Sequence, residues 1–277
     1  MSGLAELSQR FTRLKEISGI MTAMKSLSLV ETHKLARFIG HQRRMLANIE
    51  AAAADFLYFF PVAGTNKTQP KIVLLIGSER GFCGNFNERI LTAFGNLPSW
   101  DPAPTLLLVG HRLGTKLEAH SGVVARLDGA TVTEDVPAVL NRLMDALHTA
   151  SRRISGDGAE LYSLAHDADG EPTFKRLLPL APPPPPRLSH PPRLQLAPAG
   201  FFAELLDQYL LAVLYGLLYE SLAAENRQRL AHMEHALDRL DESVARLALK
   251  RNALRQEKIV EEIEVILSSE QAFADGR

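Results

Sequence analysis

Cysteine is nearly missing: Cys83 is the only one in 277 residues. No disulfide can close within the chain and no multi-cysteine zinc site can form, which fits a reducing compartment. An excess of one charge is missing too, since 31 Lys and Arg face 32 Asp and Glu for a net charge of -1. Nucleic-acid binders carry a basic surplus, so that class is excluded. Aromatic residues make up 6% and include a single tryptophan, too few for a platform that stacks single strands. The start, Met1–Leu7, lacks a basic stretch followed by an apolar run, so no signal peptide is expected. The most apolar stretch, 201–224, holds Glu204, Asp207, Gln208 and Glu220. Those groups cost too much in lipid for a membrane span. The expected setting is a soluble protein on the cytoplasmic side.

Proline is absent from both ends of the chain and crowded in between. None occurs before Pro61 and none from 201 to 274, whereas 179–198 holds nine of the 16. Over residues 1–60, apolar side chains recur at Leu4, Leu7, Phe11, Leu14, Ile17, Met21, Met24 and Leu27. Steps of three and four mark one face of a helix. Over 201–277, Leu230, Met233, Leu237, Leu240, Val244 and Leu247 alternate in the same way. A sustained 3.5-residue repeat implies supercoiling on a partner helix. From Glu225 to Glu264 eight basic and nine acidic side chains are mixed, as on a solvated helix. Helices of this length exceed a small domain roughly 30 Å across. Each needs its apolar stripe covered, and the other terminal helix is the partner tethered nearest.

The centre reads differently. Hydrophobic residues are 46% and charged residues 23% of the whole, which suits a globular core. Lys71–Gly77, Thr105–Gly110, Val123–Leu127 and Glu160–Ala165 are short apolar runs suited to strands. Val136–Ala150 between them has Val139, Leu140, Leu143 and Leu147 on one helical face. Strand–helix alternation predicts an open α/β sheet. The expected organisation is an N-terminal coiled-coil helix over 1–60, an α/β domain over 71–180, a proline-rich linker over 181–200 and a C-terminal coiled-coil helix over 201–277. Pro182–Pro186 cannot be helix or central strand and reads as a stiff connector. The fold class is therefore α/β: a long antiparallel two-helix coiled coil from the termini plus a small Rossmann-like open α/β domain.

Enzyme-like features are weak. Gly110–Lys116 resembles a phosphate loop, but it is one residue short and its Lys follows the Thr. His232 and His235 sit three apart and could approach one metal, but a wet helix face is the favoured account of them. Glu261, Glu262 and Glu264 have no cleft beside them. No catalytic residue, metal or cofactor is expected.

Four segments in order give the chain a resemblance. Glu79-Arg80-Gly81-Phe82-Cys83-Gly84-Asn85-Phe86-Asn87, just after the first strand, resembles the D-R-G-L-C-G-x-x-N signature of the rotary ATP synthase gamma subunit. Ile20–Leu27 followed by His33-Lys34-Leu35 is similar to the family's I-T-x-A-M-x-x-V segment. Glu220–Glu225 with Arg229 and Met233 resembles its E-x-x-x-S-E-x-x-x-R-x-x-A-M block, and Asn252–Ile263 its N-x-x-R-Q-x-x-I-T-x-E-I ending. The chain departs from these patterns at Ala224, Leu237, Asp238, Val260, Val265 and Ser269, consistent with a divergent member or one from an alternative rotary ATPase.

The resemblance implies a non-catalytic central shaft. It would couple ion-driven rotation of a membrane c-ring to the catalytic beta subunits. The implied partners are alpha and beta subunits, an epsilon subunit and the c-ring, with no nucleic acid. Membrane association would come only through the complex, at the cytoplasmic face of the inner or plasma membrane. Arg255 and Gln256, with Asn252, match the contact pair that reaches an acidic loop on beta. Met24 and Lys25 match the shaft position facing a beta lever. Arg80, Gly81, Cys83 and Gly84 lie in the signature loop, with Gly81 and Gly84 allowing a tight turn. The bland alternatives are a solvated helix face for the first set and a core methionine for the second. A free-standing coiled-coil adaptor with an α/β head is the competing reading of the whole chain.

Overall fold

The structure, a computed structural model, describes residues 2–61, 69–153, 159–180 and 190–274. The proline run Pro182–Pro186 lies outside the described residues. Helix α1 spans Ser2–Phe59. Then come β1 (Lys71–Ile76), α2 (Phe86–Gly95), β2 (Thr105–Val109), α3 (His111–Lys116) and β3 (Val123–Leu127). A 3-10 turn at Thr133–Asp135 leads into α4 (Val136–Arg153), followed by β4 (Glu160–His166), β5 (Pro172–Leu178) and α5 (Pro198–Ala274). The chain forms two compact units, one of Met1–Leu27 with Ala231–Arg277 and one of Ser28–Leu230.

In the Ser28–Leu230 unit the sheet order is β3-β2-β1-β4-β5. The first four strands are parallel and β5 is antiparallel to β4. Period-2 alternation splits the apolar strands between two cores. Ile72, Leu74 and Ile76 face one layer, Val73 and Leu75 the other. The second layer is closed by α2 through Ile90 and by α3 through Leu113. The first is closed by Val139, Leu140 and Leu143 of α4, by Leu35 of α1, and by Tyr209, Val213, Leu214 and Leu217 of α5.

That last set modifies the expectation that each terminal helix is covered by the other alone. The stretches of α1 and α5 within this unit are core helices. Within the apolar run 201–224, Tyr209, Ala212, Leu214, Leu218 and Leu222 are buried against protein. The two helices also touch each other here: Phe38 stacks on Tyr219 at 5.5 Å, and Phe56 packs on Phe201 at 5.1 Å. Advancing along α1 goes with retreating along α5, so the pair is antiparallel.

The same sense holds in the other unit. Lys25 pairs with Glu234 at 3.0 Å, and the Arg251 guanidinium lies 4.5 Å from the Phe11 ring centroid. Lys15 also lies over that ring, at 4.9 Å. The seam on α1 follows Leu4, Leu7, Phe11, Leu14, Ser18 and Met21, all half-buried. Ile17 and Leu27, which the sequence pattern assigns to the stripe, are 44% and 63% exposed. A 3.5-residue repeat puts position 18, not 17, on the seam. On α5, Met233 is fully buried and Leu237, Leu240, Val244 and Leu247 are half-buried. Continuing the Phe11–Arg251 pairing to Ser2 reaches about residue 260 of α5 at equal rise per residue. The rest of α5 has no α1 residue opposite it.

Candidate functional site

The loop after β1 is built by two glycine contacts and one buried ion pair. Gly110, at φ 107°, lies against Gly77, and a Cβ on it would fall 2.6 Å from the Gly77 carbonyl oxygen. Asn87 then ties the loop to the start of α2. Its Oδ1 accepts from the Ser78 amide at 2.9 Å and its Nδ2 donates to Ser78 Oγ at 2.8 Å. The chain turns through Phe82 and Gly84, at φ 63° and 58°. Gly81, in the same loop, does not take a left-handed conformation. The second left-handed residue is Phe82, whose ring is 58% exposed.

Glu225 of α5 holds this loop from beneath. It accepts from the Glu79 amide at 3.2 Å and the Arg80 amide at 3.3 Å. Arg229, one turn on, pairs with Glu225, donates to Asn226 Oδ1 at 3.1 Å and donates to the Gly81 carbonyl at 3.2 Å. Both charges are buried, at 4% exposure each. This corrects the sequence reading of 225–264 as a solvated face, because the first pair of that run is inside the protein. Burial pushes the Glu225 carboxyl up, while Arg229 and the two amides draw it back. Cys83 is buried beside Phe86 and Ala224. Burial raises its thiol above the ordinary range, so it is not an activated nucleophile. Arg80 projects into solvent.

A second carboxylate holds α1. Glu31 accepts from the Thr133 amide at 2.8 Å and from Thr133 Oγ1 at 2.7 Å. Lys34 bridges Glu31 and Glu134 at 3.1 and 2.7 Å. Burial alone would raise the Glu31 carboxyl, but the Thr133 hydrogen bonds and Lys34 outweigh it and hold it low. Glu31 and Glu225 thus fasten one terminal helix each to the sheet unit.

Under the loop, His166 stacks on Phe86 with centroids 3.8 Å apart. It is 1% exposed, and neither ring nitrogen has a partner among the described residues. Burial and the nearby Arg89 lower its pKa to about 4.

The remaining residues singled out by sequence lie in the other unit. Asn252, Arg255 and Gln256 are exposed, and no hydrogen bond or ion pair engages them among the described residues. Met24 is half-buried and Lys25 is tied to Glu234. The two sets are not brought together. Asn252 lies eighteen residues beyond Glu234 on α5, about 27 Å along the helix. Large apolar side chains remain exposed on both helices, among them Ile17, Ile20 and Leu27, and Ile259, Val260 and Ile263.

The phosphate-like Gly110–Lys116 segment is occupied by the chain itself. Glu79 Oε2 accepts from the His111 amide at 2.9 Å and from the Gly129 amide at 2.6 Å. A carboxylate already sits where a phosphate would bind. His232 and His235 are exposed, and no cluster of three His, Cys, Asp or Glu side chains suited to a metal occurs among the described residues. Sequence reasoning missed the Glu31–Thr133 contact and the buried His166. Neither has a short-range signal, because each depends on packing between distant segments.

The profile of the ATP synthase family matches residues 3–273. An ATP synthase gamma chain of Rubrobacter xylanophilus is 26% identical over 292 residues, covering 100% of both chains. One of Bdellovibrio bacteriovorus is 27% identical over 297 residues, covering 99% of each. Among solved structures, a chain of the Euglena gracilis mitochondrial ATP synthase rotor superposes with a TM-score of 0.63 at 12% identity. That match covers 92% of this chain and 98% of the other. A chain of the Tetrahymena thermophila mitochondrial ATP synthase central stalk and c-ring gives 0.52 at 18% identity, covering 78% and 99%.

Proposed function

The chain belongs to the ATP synthase family, among its gamma chains, and from that footing we propose that it is the non-catalytic shaft of a rotary F-type ATP synthase. Its paired ends sit within a hexamer of alternating alpha and beta subunits. Its sheet unit meets an epsilon subunit and the c-ring, and the protein is held peripherally on the cytoplasmic face of the membrane. Ion flow turns ring and shaft together, and the shaft drives the beta sites through their states in turn. The chain supplies no catalytic group of its own.

One observation carries this reading. The unit formed by the two ends leaves a series of large apolar side chains exposed, including Ile17, Ile20, Leu249, Ile259, Val260 and Ile263. So many large apolar side chains left exposed on one unit favour a surface that another protein covers. The uneven circumference also meets the energetic demand. A shaft touching three beta subunits identically could bias none of them, because only contacts that differ between conformations shift an equilibrium. Taking one site from 1:99 to 99:1 requires about 5.5 kcal/mol of differential interaction. Free donors such as Arg255 and Gln256, set among apolar neighbours, give each side of the shaft different chemistry. Arg offers planar, charge-assisted donors to a carboxylate, and Gln adds an amide beside it.

The test is assembly with alpha and beta subunits. The chain should co-purify with them and confer steady ATP hydrolysis. Arg255→Ala should lower that turnover about tenfold, as expected for the loss of one charge-assisted contact of about 1.4 kcal/mol, with unchanged helicity of the isolated chain. A free-standing adaptor would fail to co-purify. Unaltered turnover in Arg255→Ala would remove that residue from the contact.

A further inference from the structure

One edge of the sheet has no part in the shaft reading. β3 is the outermost strand, and among the described residues nothing pairs with its outer side. Such an edge offers a row of backbone donors and acceptors to another chain. At the opposite edge, β5 presents the charges of Lys175 and Arg176 to solvent, the usual way of blunting strand addition. β3 presents Val124, which is 42% exposed, and Arg126, whose guanidinium is turned back onto the Leu117 and Glu118 carbonyls at 3.2 and 2.8 Å.

A groove of about 380 Å³ runs beside this edge, between β3 and α4, lined by Val124, Leu127, Arg142, Asp145, Ala146 and Arg153 among others. Its floor is apolar and its charged lining is two arginines against one aspartate. Arg142 commits one amino group to the Asp128 carbonyl at 3.2 Å and keeps its other donors. Arg153 has no hydrogen bond or ion pair among the described residues. The sequence read as a whole is neutral, so this local basic excess is not a reflection of net charge.

We propose that the outer edge of β3 and the basic groove beside it form an interaction surface that takes an extended acidic segment of a partner protein by strand addition. The backbone of the segment pairs with β3. Its alternate side chains point toward α4, where carboxylates meet Arg142 and Arg153 and small apolar side chains lie over Ala146. The proposal is independent of the shaft reading, since it concerns a different face and can fail while rotation persists.

The test uses the full chain and a fluorescein-labelled peptide of alternating glutamate and valine, followed by fluorescence anisotropy. The acidic peptide should bind about tenfold or more tightly than its lysine–valine counterpart. Arg142→Glu combined with Arg153→Glu should weaken it by about the same factor. Lys175→Glu with Arg176→Glu, on the far edge, should leave it unchanged. Melting curves establish that both double variants are folded. Amide exchange across 123–127 should slow when peptide is bound. Equal binding of the two peptides, loss of binding in the far-edge variant, or unchanged exchange in β3 would each overturn the proposal. So would a dimer of the chain that Val124→Asp dissolves, since the edge would then belong to a second copy.

Discussion

Replacing Glu225 by alanine should lower the stability of the Ser28–Leu230 unit by about 3–5 kcal/mol, the cost of leaving a buried charge without its partner. Glu225 is the counter-ion of Arg229, and both are sealed from solvent. Removing the carboxylate strands the guanidinium and also the amides of Glu79 and Arg80. Losses of this size come from buried ionic networks and seldom from surface pairs. Lys116–Glu88, in the same unit, gives the internal control. Its side chains are 40% and 52% exposed, so Glu88→Gln should cost about 0–1 kcal/mol. Urea unfolding followed by Trp100 fluorescence reads the sheet unit directly, because Trp100 is the only tryptophan and stacks on Tyr162 at 5.7 Å. Removing both Glu225 and Arg229 should cost less than the sum of the single changes, since each single variant already breaks the shared contact. A loss under about 1 kcal/mol for Glu225→Ala would show that the loop does not depend on this pair.

Acidification should weaken the same unit through His166. Its ordinary pKa is 6.5 and its folded value is about 4. A lowered value means that the unfolded chain binds the proton more readily than the folded one. Stability is therefore unaffected above about pH 6.5, falls as pH drops from there, and the penalty is complete near pH 4. The span corresponds to about 3 kcal/mol at 1.36 kcal/mol per unit. Arg89, Asp167 and Glu171 are the charged groups acting on the ring, and Arg89 is itself held by the Gly170 carbonyl and Glu171. The carboxylates that stabilise the fold, Glu31, Asp135 and Asp167, have lowered pKa values and act at more acid pH. His166→Phe keeps the stack on Phe86 and removes both unpartnered nitrogens. Between pH 6.5 and 5 it should lose less stability than the parent chain, while Glu225, whose carboxyl is pushed up by burial, acts in the opposite sense in both chains. A decline of equal slope in both chains would mean that His166 is not the group responsible.

The sequence made some of this legible for definite reasons. β1, β2 and β4 are apolar runs bounded by loop residues, so burial on both faces is written into them. α4 shows its apolar face at Val139, Leu140, Leu143 and Leu147. β5 was not anticipated, because it opens on Pro172 and carries Lys175 and Arg176. Those are features of an edge strand, where a missing N–H and outward charges are tolerated. The ordered motifs identified the family, but not what Glu225 and Arg229 do. Their i,i+4 spacing on a helix announces a pair; that the pair is buried depends on a loop nearly 150 residues away in sequence. The helix stripe illustrates a finer limit. Ile17 looked like a seam residue and Ser18 did not, yet the repeat of the coil selects Ser18. Exposed Ile17 is then part of the apolar surface that a surrounding partner would cover.

The central claim is that the two ends of the chain act together as an axle. It is tested by watching one molecule turn. With alpha and beta subunits fixed to glass, a bead is attached through Asn96→Cys, an exposed position in the sheet unit, while Cys83 stays buried and unreactive. On addition of ATP the bead should rotate in one direction in discrete steps, and Arg255→Ala should lengthen the pauses between them. A bead that only fluctuates, in assemblies that hydrolyse ATP steadily, would contradict the account.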